Sequence, residues 1–330
     1  MIKNYYRQNF DIETQKNCTT VFVRNENNKE NSTITFHEII PGIELTYNFF
    51  YGKSGAEATS CPQTRQMIEI NHCRQGRFGC NINKNGYVYL GAGEIGASIL
   101  GIEKTNPEFP LGFYEGISIL IQVSKASESL IKMFPDLARQ IKDLKTKIEE
   151  NDGVMMIRNI PELSHVFEEL YHTNSKIQTT YMKLKVLEII LTMHLVPYDR
   201  TLCVPEYYKR VDMEKIKAIR NEAVGQLENR IPLKELAEKY DISLTNAKVY
   251  FKELYGEPYF SYLKKYRMHK AIHYLEESEN SIAEIAGKLG YDNPSKFSSA
   301  FRGVVGCTPR EYKSNSDHLE HLKLFGVEID

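Results

Sequence analysis

The sequence predicts an α+β chain in two parts, an antiparallel β barrel or sandwich followed by an all-α segment, and three observations carry that expectation. A length of 330 residues, at about 100–200 residues per domain, favours two domains over one. Residues 18–123 are rich in Thr, Ile, Tyr and Phe in short runs broken by Gly-containing turns. From Ser124 onward glycine becomes scarce and the apolar spacing changes to threes and fours, as in Leu130, Ile131, Phe134, Leu137, Ile141, Leu144 and Ile148.

Composition bounds the function. With 42 Lys plus Arg against 43 Asp plus Glu, 42% hydrophobic residues and no Trp, the chain is neither a disordered nor a fibrous polymer. A net charge of −1 exerts no global pull on nucleic acid or anionic membrane, so any nucleic-acid reading has to rest on a local surface. The longest apolar run, Gly116–Val123, is far short of the roughly 20 residues that span a bilayer, and MIKNYYRQNFDIET carries no hydrophobic signal region; a cytoplasmic protein without membrane contact is expected. Six Cys residues contain no C-x-x-C pair, which suits reduced thiols; no disulfide, metal or cofactor is expected.

In the β-rich part, strands are predicted at Ile34–Ile40, Ile43–Tyr51, Arg65–His72, Tyr87–Leu90 and Gly116–Val123. They are separated by Pro41-Gly42, Gly52–Gly55, Asn85-Gly86 and Gly91–Gly93, and Asn85-Gly86 predicts a type I′ hairpin because both central residues of that turn need positive φ. The aromatic set Tyr47, Phe49, Phe50, Tyr51, Phe78, Tyr87 and Tyr89 is a candidate pocket lining or plain core, with Arg65, Arg74 or Arg77 available to an anionic group. His37 and His72 are isolated and make poor metal ligands. His72-Cys73 with Arg74, Arg77 and Cys80 is a candidate redox segment, since nearby cations lower a thiol's pKa. Paired carboxylates, a nucleophile elbow and a phosphate-binding glycine loop are all missing from the sequence, so no enzyme is expected.

Helices are then expected at Pro161–Thr173 and Asn174–Leu195, the second carrying Tyr181, Leu184, Leu187, Ile190 or Leu191, and His194 along one side. That side is either a dimer seam or a packing face for the chain's own β part. Residues 197–211, with two prolines, read as a linker.

After the linker a helix is expected from Asp212 to about Glu228, and the chain then repeats itself with a period near fifty. Leu236-Ala237 matches Ile285-Ala286 forty-nine positions on; past the turn the offset is fifty, so that Phe251 pairs with Phe301, Gly256 with Gly306 and Tyr262 with Tyr312. Each copy reads as a helix-turn-helix, with a spacer helix at Pro258–Glu276 between them. Ser281–Glu284 and Thr308–Glu311 fit capping boxes, Pro232 suits a helix start, Ser243 and Asp292 fall at N-cap positions, and Gly256 and Gly306 at helix stops.

The second helix of each copy has a polar outer face. In the first, Ala247, Tyr250, Phe251 and Leu254 turn inward, leaving Thr245, Asn246, Lys248, Val249 and Lys252 outside. In the second, Phe297, Ala300, Phe301 and Val304 turn inward, leaving Pro294, Ser295, Lys296, Ser298, Ser299 and Arg302 outside. Short, acid-poor faces of this kind suit a groove lined by phosphates. Residues 231–313 carry 13 Lys plus Arg and 11 Asp plus Glu, only +2. The placement is more telling: Lys248, Lys252, Lys264, Lys265, Arg267, Lys270, Lys296 and Arg302 lie on the second helices and the spacer, while Glu276, Glu277, Glu279 and Glu284 cluster between them.

These residues resemble the AraC/XylS family of bacterial transcription regulators over about residues 212–313. The carriers are Ser281–Tyr291, Ser295–Arg302, Gly306–Tyr312 and Tyr262–Met268; Ala300-Phe301-Arg302, Tyr255-Gly256 and Phe260–Leu263 look more like the PchR-like branch, which answers to iron–siderophore complexes. The resemblance implies a cupin-like effector-sensing β domain at 1–124, a helical dimerisation region at 125–196, a linker at 197–211, a DNA-binding domain at 212–313 and a tail at 314–330. It further implies promoter DNA and RNA polymerase as partners, a homodimer that regulates transcription as an activator or a repressor, a small-molecule effector such as an iron–siderophore or antibiotic-like compound, and two recognition helices in successive major grooves. Many relatives carry Arg where this chain has Val249 and Ser299, so an Arg–guanine fork is missing from both positions. The competing reading is a metal- or redox-responsive barrel joined to a helical protein-interaction domain.

Overall fold

The computed structural model describes residues 11–14, 18–23, 32–52, 67–82, 86–100, 107–151, 153–157, 160–173, 177–195, 209–277 and 280–314. The chain divides into two units, Met1–Tyr207 and Tyr208–Asp330.

The first unit is built on antiparallel strands β1 (Asp11–Thr14), β2 (Thr19–Val23), β3 (Ser32–Ile40), β4 (Ile43–Tyr51), β5 (Met67–Ile82), β6 (Gly86–Gly91), β7 (Ile95–Ile99), β8 (Phe113–Gln122) and β9 (Val154–Ile157). Their order is β1-β2-β3-β4-β8-β5-β7-β9, with β6 paired to β5. Alternation along each strand separates two faces. Ile43, Leu45, Ile68, Ile70, Ile95, Ala97, Ile117, Ile119 and Ile121 meet the helices α1 (Val123–Leu130), α2 (Pro135–Glu150), α3 (Pro161–Tyr171) and α4 (Gln178–Leu195) in one shared core. Each fully buried Ile or Leu there stabilises the fold by about 1.5–3 kcal/mol. The sheet therefore depends on its helices. At Gly42, with φ 96°, a Cβ would sit 2.4 Å from the Ala126 nitrogen, so only glycine lets the β3–β4 turn lie against α1.

The strand expectations hold in outline and fail in three details. β5 is one 16-residue strand, longer than the predicted Arg65–His72, and a register shift between Cys73 and Gln75 carries it from β7 to β6. The β5–β6 register, Asn81↔Tyr87 and Ile82↔Gly86, places Gly86 in the strand, so Asn85-Gly86 is not the centre of a two-residue turn; residues 83–85 lie outside the described residues. β9 follows α2, inside the region expected to be helical, and pairs with β7.

The second unit contains α5 (Arg210–Gly225), a 3₁₀ turn (Leu227–Asn229), α6 (Leu233–Lys239), α7 (Leu244–Tyr255), α8 (Tyr259–Glu277), α9 (Ile282–Lys288), α10 (Pro294–Val305) and α11 (Pro309–Ser314). The repeat is physical: Leu236-Ala237 and Ile285-Ala286 are all buried, as are Phe251 and Phe301. The turn after α6 uses Asp241 at φ 51°, and its counterpart after α9 uses Gly290 at φ 74°. Gly290 is confined as well, because a Cβ there would lie 2.7 Å from the Glu228 carbonyl oxygen. α8 serves both copies. Tyr259 and Tyr262 pack their edges on Phe251, with ring centroids 5.2 and 5.5 Å away, while Met268, Ala271, Ile272 and Leu275 join Phe297 and Phe301.

Two buried histidines link stability to pH. His72 is pushed down to about 4 by burial and by Arg74, and His269 to about 4 by burial and by Lys265. Both are neutral when folded, whereas the unfolded chain takes up protons below its own pKa near 6.5. Their stabilisation is complete above pH 6.5 and is lost as pH falls toward 4, on the order of 3 kcal/mol for each. Denaturant midpoints should fall over that window, and His269→Leu should flatten the dependence for the helical unit; an unchanged slope would contradict it.

Candidate nucleic-acid interface

The two outward faces are set by caps at both ends of α7 and α10. Ser243 caps α7, its Oγ accepting from the Asn246 N–H at 3.2 Å, and Gly256 ends it at φ 80°. α10 starts differently from expectation. Its cap is Asn293, whose Oδ1 accepts from the Ser295 N–H at 2.8 Å, and Asp292 stands exposed outside the helix. Pro294 occupies the first helical position and pre-sets φ, which moves the cap to the residue before it. Gly306 ends α10 at φ 93°. Both capping boxes form, with the Glu284 carboxylate 2.7 Å from the Ser281 nitrogen and the Glu311 carboxylate 2.7 Å from the Thr308 nitrogen. Those bonds hold both carboxyls below the usual carboxylate range.

On α7, Ala247, Phe251, Leu254 and Tyr255 are buried, and Thr245, Asn246, Lys248, Val249 and Lys252 are exposed. Tyr250, expected inside, is half-buried. On α10, Phe297, Phe301 and Val305 are buried with Ala300 and Val304 packed beside them; Pro294, Ser295, Lys296, Ser299 and Arg302 are exposed and Ser298 is half-buried. Among the described residues, Lys248, Lys252, Lys296 and Arg302 make no ion pair, so their charges stay available to phosphates. Arg267 drops out of that set. It is buried on α8, its Nε and Nη2 donating to the Leu227 carbonyl at 3.2 and 3.1 Å, and burial lowers its pKa. Lys265 is paired with Glu257 at 2.9 Å.

The ten residues expected to line an effector pocket do not converge on one described site; of them, Phe50 and Phe78 pack together around Phe109 and Tyr114. Tyr47 and Arg74 gather around Tyr171 of α3: the Tyr47 hydroxyl donates to the Leu170 carbonyl at 2.8 Å, and Arg74 lies 4.5 Å over the Tyr171 ring while pairing with Glu115 at 2.8 Å. His72 stacks on Phe167 nearby, centroids 4.5 Å apart. Phe49 and Tyr51 meet edge to face at 4.8 Å. Tyr87 and Tyr89 stack at 6.1 Å, and Arg77 is buried. Arg65 lies outside the described residues. The thiol idea fails on chemistry. Cys73 is fully buried and burial pushes it up to about 12, away from the thiolate that redox exchange needs; the Cys80 side chain lies outside the described residues.

A polar floor that the sequence reading missed lies on the sheet face opposite the helices, between the clusters around Phe36 and Tyr114. Asn48 Nδ2 donates to Ser118 Oγ at 2.9 Å, Thr46 donates to the Ser118 carbonyl at 3.3 Å, and the Tyr114 hydroxyl donates to Asn71 Oδ1 at 2.5 Å. Glu69 joins through the Ser118 hydroxyl, and burial raises its pKa. The signal was polar residues at every second strand position, Thr46 and Asn48 in β4 and Glu69 and Asn71 in β5, with Ser118 on the same face of β8.

Residues 236–315 match the family model described as a helix-turn-helix domain. The transcriptional activator RhaR of Mannheimia succiniciproducens is 26% identical over 103 residues, 31% of this chain and 37% of that protein. RhaR of Yersinia pestis bv. Antiqua is 26% identical over 172 residues, covering 50% and 57%. A solved C-terminal domain of the response regulator YesN from Fusobacterium nucleatum is 31% identical, covering 31% of this chain and 96% of that one, with a TM-score of 0.28. The chain spans about two fifths to a half of the length of the first curated relatives it matches. Fold and matched segment together define a helix-turn-helix DNA-binding domain. Over that segment the chain is similar to helix-turn-helix transcription regulators such as RhaR.

If the outer faces of α7 and α10 carry the phosphate contacts, Lys252→Ala and Arg302→Ala should each weaken duplex binding and reduce the slope of log affinity against log salt by about 1. Glu284→Gln, away from both faces, should leave that slope unchanged. Equal slopes in filter binding for wild type and both alanine variants would reject the assignment.

Proposed function

We propose that the chain is a ligand-responsive, sequence-specific regulator that places α7 and α10 in successive major grooves of promoter DNA. The carrying observation is the pair of equivalent, acid-poor outer faces joined by one helix whose two ends belong to the two cores. α8 has 19 residues, about 28 Å at 1.5 Å per residue, comparable with the roughly 34 Å of one duplex turn. With a net charge of only +2 over residues 231–313, this segment depends on a few placed cations rather than on bulk attraction. Activation through RNA polymerase is the reading supported by relatives named as activators.

The polar floor is the proposed effector site, ahead of the scattered aromatic set. It offers amide, hydroxyl and carboxyl groups on one face, where a ligand's own polar groups gain most from pairing in a low-dielectric setting. Homodimerisation is proposed through α4. Ile177, Leu184, Leu191 and Leu195 stay 45–77% exposed at intervals of seven, seven and four, with Tyr181 between the first two, while Val186, Ile189, Ile190 and Met193 face the core. A heptad-spaced apolar line suits the same helix of a second copy. Of the side expected to be either a seam or a packing face, Leu187 and Ile190 pack on the core, while Leu184 and Leu191 stay exposed.

Retention of duplex DNA by the whole chain should fall steeply with salt; a protein-interaction domain would show no counterion-release slope. Leu184→Glu with Leu191→Glu should convert a dimer to a folded monomer in light scattering and cost at least tenfold in operator affinity; an unchanged mass would exclude α4 as the seam. A compound from a metabolite panel that raises the melting temperature of the wild type should raise that of Glu69→Gln less, and equal shifts would move the effector site elsewhere.

A further inference from the structure

We propose that the two recognition helices divide the work: α7 reads base identity at an A·T-containing block through Asn246 and Val249, and α10 holds the neighbouring groove chiefly through the sugar–phosphate backbone. The proposal rests on the reading that both outer faces meet DNA, and the caps supply the asymmetry. α7 is capped by the Ser243 hydroxyl, so the Asn246 side-chain amide is left out of the capping and stands exposed within the first turn. α10 is capped by Asn293 itself, which commits the side-chain oxygen of the amide at that helix start to the Ser295 N–H.

The internal repeat places the two faces in register at an offset of fifty. Thr245 corresponds to Ser295, Asn246 to Lys296, Val249 to Ser299 and Lys252 to Arg302. Recognition helices meet base edges mainly with residues near their N-terminal ends. At those positions α7 carries an amide, whose acceptor and donor match adenine N7 and N6, and three residues later an isopropyl group, 48% exposed, that matches the thymine methyl. α10 carries Pro294, Ser295, Lys296 and Ser299 there, short side chains and one flexible point charge, with no two-pronged group directed at a base. Lys252 and Arg302, two turns further along each helix, are suited to phosphates in both copies.

Selection of the full-length chain on a randomised duplex library at fixed salt, followed by sequencing, tests this. The expected motif is one block with A·T identity and a second block, one turn away, with little base preference. Asn246→Ala should lose the adenine preference and cost about 5- to 150-fold on the selected site, while Asn246→Gln, which can make the same fork, should retain part of it. Lys296→Ala should weaken selected and unrelated duplexes by a similar factor and leave the motif intact. An unchanged motif in Asn246→Ala would overturn the proposal, as would a guanine in the second block that disappears in Lys296→Ala. Melting curves that match the wild type ensure that any loss is not unfolding. Failure of the wild type to enrich any duplex would instead overturn the DNA-binding reading itself.

Discussion

The packing of α8 into two cores at once governs the helical unit. Its N-terminal half contributes Tyr259, Tyr262 and Tyr266 to the aromatic cluster around Phe251, and its C-terminal half contributes Met268, Ala271, Ile272 and Leu275 to the cluster around Phe301. Buried polar contacts lock it further. Arg220 of α5 donates from Nε to the Tyr262 hydroxyl at 3.0 Å and lies 5.3 Å over the Tyr266 ring, while Arg267 anchors to the Leu227 carbonyl. A helix packed along its length loses little further freedom on binding, so two faces fixed at its ends meet a ligand with their separation already set. Independent helix-turn-helix modules on a flexible tether would have to recover that ordering from contact energy.

The same economy explains how a nearly neutral chain presents positive faces. Glu284 and Glu311 are held at helix N-termini, Glu276 accepts from the Tyr312 hydroxyl at 2.7 Å, and Glu257 pairs with Lys265. Acid side chains are thus drawn to structural posts away from the outer faces of α7 and α10. Among the described residues, Lys248, Lys252 and Lys296 make no ion pair, and Arg302 has Glu311 only as a nearby charge without a salt bridge. Net charge is therefore a poor guide for this unit: what a phosphate meets within a Debye length of about 8–10 Å is the local face, not the sum.

How much of this was legible follows from where each signal resides. Caps and repeated aromatic positions are local, so α7 and α10 could be placed to within about two residues, and the start of α9 and both capping boxes could be read from Ser281–Glu284 and Thr308–Glu311. The cap of α10 was misplaced by one residue, at Asp292 rather than Asn293, although the deciding feature, Pro294 at the first helical position, is equally local. Arg267 looked like a surface charge, since on a helix with both ends buried the 3.6-residue period no longer separates an outer face. In the first unit the missed features depend on partners distant in sequence. β9, the four residues Val154–Ile157, is too short to declare its pairing with β7, and the long β5 is continuous because β8 spans its bend. The polar floor was hidden for a similar reason: Thr46, Glu69 and Ser118 each look like a solvent-facing strand position until pairing shows that their face is interior.

That interior face bears on how the two ends of the first unit communicate. β5 and β8 carry the polar floor on one side and the helix-packing isoleucines on the other, at alternating residues of the same strands. On the effector reading, a displacement of Glu69 or Ser118 by a bound group would reach Ile68, Ile70, Ile117 and Ile119 through one peptide unit, without an intervening loop. Those isoleucines belong to the same close-packed core as Val186, Ile189 and Met193 of α4, and such a core moves by shifting whole helices more readily than by local compression. On the dimer reading, the opposite side of α4 forms the seam. Occupancy of the sheet would then alter the mutual position of two chains, and with it the spacing of four recognition helices that a weakly charged reader depends on for affinity.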